Sequence, residues 1–128
     1  MSVKAAGIRG LSDRIGPQIG VTAAAGVALA DVLPRAAYTE DVDDLRVTVY
    51  NTGAFPLHVG LKANDFSPTQ DETTETHWEA IAVAEFVAAI VPGGSATAVI
   101  HDFERKYTKL RAYGEGGDTT FDVAFVGD

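Results

Sequence analysis

Short segments in which apolar and polar residues alternate one by one restrict this chain more than any other feature. Leu45-Arg46-Val47-Thr48-Val49-Tyr50 puts Leu45, Val47 and Val49 on one face and Arg46, Thr48 and Tyr50 on the other. A period of two marks a strand buried on one face. Phe55–Lys62 repeats it, with Leu57, Val59 and Leu61 inward. Asn51-Thr52-Gly53 lies between the two runs, and Asn and Gly tolerate positive φ, so the pair is expected to form a hairpin. The pattern returns in Ser95–His101, in Tyr107–Tyr113 and in Thr119–Val126. In the second of these Leu110 and Ala112 point in while Lys109, Arg111 and Tyr113 point out; in the third Phe121, Val123 and Phe125 share a face. Pro92-Gly93-Gly94 and Gly114–Asp118 supply turns, and Leu33–Thr39 is expected to be a further strand.

Two stretches read differently. Asn64–His77 is polar, acidic and Thr-rich, as expected of a long surface loop. Trp78–Val91 fits two periods: Ala80, Val83, Ala84, Val87 and Val91 have helical spacing, whereas Phe86, Ala88 and Ile90 alternate with their neighbours. A strand is expected over Ala84–Val91. The result is about seven to eight strands separated by turns every ~8–12 residues, an all-β antiparallel sandwich or jelly roll.

The 128 residues suit a single domain. The 46% apolar content provides a core and argues against disorder. With no cysteine, there is no disulfide framework, iron–sulfur cluster or thiol nucleophile. The net charge of −8 argues against broad nucleic-acid binding. That charge is unevenly placed: residues 1–38 carry four basic and two acidic side chains, and the rest carry six basic and sixteen acidic ones. All eleven aromatics lie at or beyond Tyr38. The chain therefore divides into an N-terminal arm, residues 1–30, and a β-sandwich domain, residues 31–128.

Lys4, Arg9 and Arg14 followed by the apolar stretch Ile19–Ala30 imitate a secretory leader ending in Ala28-Leu29-Ala30. Asp13, the Pro17-Gln18 interruption and the Ala/Gly/Thr character of the apolar stretch count against it, and the stretch is too short to span a membrane. As a docking arm, the segment would use Ile8, Leu11, Ile15, Ile19 and Val21 as apolar anchors and Lys4, Arg9 and Arg14 as charged contacts. The competing reading makes these residues an ordinary first strand closing the sandwich.

Nothing else in the chain is arranged for chemistry. His58, His77 and His101 are scattered without ligand spacing. Glu40–Asp44 lacks the glycine and distal glutamate of a calcium loop. There is no G-x-S-x-G nucleophile elbow, and Gly114–Gly117 lacks the Lys-Ser/Thr of a phosphate loop. The chain is expected to be no enzyme, with no cofactor and no metal site.

The arm, the cysteine-free body and three motifs, LRVTVYNTG (45–53), VPGGS (91–95) and KLRAYG (109–114), resemble the capsid decoration (cement) proteins of tailed phages. The resemblance is one of style over most of the chain. It implies a sandwich or jelly roll on the capsid surface of a virion, homo-oligomers (trimers favoured) and docking onto the major capsid protein or other virion subunits. It implies no nucleic-acid partner and no membrane. Head–tail accessory subunits share that style. V-x-V-x-N-x-G followed by P-G-G-S also resembles Ig-like modules of extracellular, secreted or surface proteins, where Trp78, Tyr50 and Tyr113 would grip carbohydrate or protein.

Overall fold

A computed structural model describes residues 17–33, 36–40, 42–65, 75–103 and 105–127. They contain nine strands: β1 (Gln18–Ala23), β2 (Ala30–Asp31), β3 (Ala37–Tyr38), β4 (Leu45–Asn51), β5 (Leu57–Asn64), β6 (Glu79–Ile81), β7 (Ser95–Ile100), β8 (Tyr107–Gly114) and β9 (Thr119–Gly127). The first sheet has the order β1-β9-β4-β7, and the second β2-β8-β5-β6 with β3 also beside β8. Every pairing of named strands is antiparallel.

The two sheets enclose one core, and the alternation explains which residues enter it. Leu45, Val47 and Val49 of β4, Ala98 of β7, and Phe121 and Val123 of β9 come from the first sheet. Leu57, Val59, Leu61 and Ala63 of β5 meet them with Leu110 and Ala112 of β8. The inward faces expected for β4, β5, β8 and β9 are those observed, although Phe125 is only half-buried. The all-β sandwich is therefore present.

Several details differ from the sequence reading. Β4 and β5 do not form a hairpin: β4 pairs with β7 and β9, β5 with β6 and β8. At the end of β4 the backbone is bonded elsewhere. Asn51 N–H donates to Gly94 O at 2.9 Å and Thr52 N–H to Thr120 O at 2.9 Å, so residues 52–56 arch across to the opposite sheet. Gly53 is required there by close approach, not by its torsion, since it is not among the glycines of positive φ. A Cβ on it would lie 2.5 Å from Thr120 N and 2.9 Å from Thr119 Cα. Both are backbone atoms of β9 that cannot move aside. Gly53→Ala is therefore expected to cost about 2 kcal/mol, in the range typical of overpacking, read from the urea midpoint. An unchanged midpoint would contradict this packing.

The strand expected over Ala84–Val91 is instead a 3₁₀ turn at Ala84–Phe86 followed by a single bridge, Ile90 to Leu57. Phe86 and Ile90 are its buried residues while Val87 and Val91 stay exposed, as alternation places them, but Ala88 between them is exposed, because the chain turns there instead of running as a strand. Among the described residues of Leu33–Thr39, Ala37–Tyr38 is strand. Gln18–Ala23, within the segment read as the arm, and Ala30–Asp31, across its boundary with the domain, are strands of the two sheets. With β6 at Glu79–Ile81 also unexpected, these changes account for nine strands among the described residues where seven to eight were expected.

Candidate functional site: the outer sheet faces and edges

Of the arm residues, Lys4, Ile8, Arg9, Leu11, Arg14 and Ile15 lie outside the described residues. Ile19 and Val21 fall on β1, the edge strand beside β9. Between the pairs Gln18↔Val123 and Val21↔Phe121, three steps on β1 oppose two on β9, which is a β-bulge. Gly20 takes φ +66° at this bulge, and its N–H donates to Asp122 Oδ1 at 2.9 Å. The bulge sends the two anchors different ways: Val21 packs against the core, whereas Ile19 remains 75% exposed.

The outer face of the second sheet is covered by its own side chains. Tyr107, Lys109, Arg111 and Tyr113 of β8 point away from the core, as the alternation required. Lys109 is nevertheless buried, because Trp78 lies over it with the ring centroid 4.3 Å from Nζ. Asp31 joins both cations, Oδ2 to Lys109 Nζ and Oδ1 to Arg111 Nε, each at 3.1 Å. Trp78 also packs with Ala36 and Tyr107 in a small second cluster flanked by Tyr38. Arg105 bridges Asp65 at 2.7 Å and Glu79 at 2.9 Å, tying the end of β5 to β6.

This corrects the aromatic grip proposed for Trp78, Tyr50 and Tyr113. Trp78 is buried. Tyr113 stacks on His58 at 4.5 Å and 7°, and His58 Nε2 is 2.7 Å from Glu115 Oε1. Only Tyr50 is well exposed, and it stands on the first sheet. Three aromatics spread over strands and loops of two different sheets cannot hold one ligand.

Other polar contacts pin loops. Asp44 Oδ1 faces His101 Nδ1 at 3.3 Å, and Asp43 O accepts the N–H of Phe103 at 2.6 Å. Tyr38 donates to Glu40 at 2.7 Å. Asp41 lies outside the described residues.

The outer face of the first sheet is the open one. Its rows run Val99–Arg46–Val126, Thr97–Thr48–Ala124 and Ser95–Tyr50–Asp122 across β7, β4 and β9. Thr48 and Thr97 hydroxyls meet at 3.1 Å, and those of Thr52 and Thr120 at 3.0 Å. Val99 and Val126 are 50% and 45% exposed, and with Asp44, Leu45, Arg46 and Gly127 they line an open groove of about 380 Å³. The signal for this groove was in the sequence, as valines in the polar phase of two strands. That these valines flank Arg46 on one face does not follow from any single strand, because it depends on how β7, β4 and β9 pair.

No protein-family model, no curated protein and no solved structure matches the chain.

Proposed function

We propose that this chain is a non-enzymatic structural subunit of a tailed-phage virion, a jelly roll that decorates the head by docking on the major capsid protein. The observation that carries the reading is the pairing order. Β1 pairs with β9, β2 and β3 with β8, β4 with β7, and β5 with β6. These are the rungs of one long nested hairpin rolled into two sheets. With β2 and β3 counted as one interrupted strand, this order supports reading the sandwich as an eight-stranded jelly roll, an architecture common in viral capsid domains and also in lectins. In the immunoglobulin arrangement the first two strands share a sheet, whereas β1 and β2 lie in opposite sheets. That difference, with the burial of Trp78, favours the virion reading over an Ig-like binding module.

In this reading Lys4, Arg9 and Arg14, ahead of edge strand β1, meet acidic surface on the capsid protein, and Ile8, Leu11 and Ile15 add apolar contact. Exposed ion pairs contribute only about 0–1 kcal/mol each and are screened by salt. Purified chain is expected to co-sediment with undecorated phage heads. Salt at 1 M should weaken it by no more than about 10–100-fold, and deletion of residues 2–16, which spares β1, should weaken it further. Absence of co-sedimentation at low salt would overturn the reading.

A further inference from the structure

Two open sheets end in four edges, and three of these carry a feature that keeps other strands away. Β1 is kinked by its bulge and Gly20. Β2 and β3 are two-residue pieces. Β6 is three residues long and carries Glu79, held by Arg105. Β7 has none of these. It runs Ser95–Ile100 in unbroken register along β4, pairs with no other strand among the described residues, and contains no charge and no proline. Natural sheets rarely leave such an edge open, because its unpaired N–H and C=O groups are a template for another strand.

We propose that the β7 edge is an interface with a second copy of this chain. The two β7 strands pair antiparallel about a two-fold axis near Thr97 and Ala98, joining two four-stranded sheets into one. The edge is suited to itself. A two-fold pairing sets residues of this uncharged segment only against one another, so no like charges meet. Centred on Thr97, it places Val99 of one copy opposite Ser95 of the other and extends the Val99–Arg46–Val126 row across the junction. The small side chains Ala96 and Ala98 leave room for close approach. The pairing depends only on the sheet edges and is independent of the capsid reading, although it predicts a dimer where the phage resemblance implies a trimer.

The test uses the full chain, with mass followed against concentration by sedimentation equilibrium. Wild-type protein is expected to reach twice the chain mass. Thr97→Lys and Thr97→Glu, at an exposed position, should each weaken association by about tenfold or more, equivalent to ~1.4 kcal/mol. An equimolar mixture of the two should restore it, since the new charges then face each other across the axis. Circular dichroism establishes that each variant is folded; if either is not, Val99→Lys mixed with Ser95→Glu probes the next facing pair in the same register. A monomer at every concentration, a trimer, a dimer indifferent to both substitutions, or failure of the mixture to recover would each overturn the proposal. The last would point to a foreign strand or to head-to-tail pairing with β1.

Discussion

Asn51→Ala is expected to lower the stability of the sandwich by about 3–4 kcal/mol. Asn51 is 1% exposed at the end of β4. Its Nδ2 donates to Phe55 O and Ile90 O, both at 2.8 Å. Its Oδ1 accepts from Gly53 N–H at 3.1 Å and from the Thr119 hydroxyl at 2.9 Å. One side chain thus joins the arch leaving β4, the bridge between Leu57 and Ile90, and the start of β9. After truncation Ile90 O keeps the N–H of Leu57 at 2.9 Å. Gly53 N–H, the Thr119 hydroxyl and Phe55 O lose these bonds to Asn51. A buried group left unpaired costs roughly 1–3 kcal/mol, and the vacated volume adds to that. Against a total of about 5–15 kcal/mol the loss is severe. Asn51→Asp should fare no better, because a carboxylate cannot donate and would face two carbonyl oxygens. Urea titrations would measure both variants. Losses under about 1 kcal/mol for the pair would show that the network does not hold this corner together.

Asn51 also shows where sequence reasoning stops. Alternation reports which face of a strand is buried, so the inward sets of β4, β5 and β8 were legible residue by residue. It says nothing about which strand lies alongside. Asn51-Thr52-Gly53 has the composition of a hairpin turn, yet its asparagine is consumed in the interior and its glycine yields to the backbone of β9. Both facts depend on strands nearly seventy residues away. The segment around Phe86 and Ile90 differs for another reason: both are buried in the phase that alternation assigns, but a 3₁₀ turn and a single bridge to Leu57 bury them, with Ala88 exposed between, so a buried phase does not by itself make a strand. Lys109 was read correctly as outward-facing, but the indole covering it comes from a connection and not from the sheet. The open β7 edge was legible only in part. Its lack of charge can be seen in the sequence, but its position at an edge follows from the pairing order.

Val47→Asp is expected to unfold the domain, and Arg46→Asp to leave it nearly unchanged. The two positions share β4 and differ only in the face they present. Val47 is fully buried, with Ala98 of β7 and Phe125 of β9 as its cross-strand neighbours. A carboxylate there has no hydrogen-bond donor nearby, apart from backbone groups already committed to the two ladders. Burying an unpaired charge costs several kcal/mol even after relaxation, comparable to the whole stability of a domain this size. Arg46 projects from the opposite face between Val99 and Val126, exposed and outside the core. Changing it to aspartate should fall within about 1 kcal/mol, as exposed substitutions usually do. Thermal denaturation of the two variants would separate the faces directly. A native-like melt for Val47→Asp, or equal losses at both positions, would mean that β4 does not present Leu45, Val47 and Val49 to the core. The register with β7 and β9 would fall with it, because a shift of one residue turns every side chain of the strand to the other face.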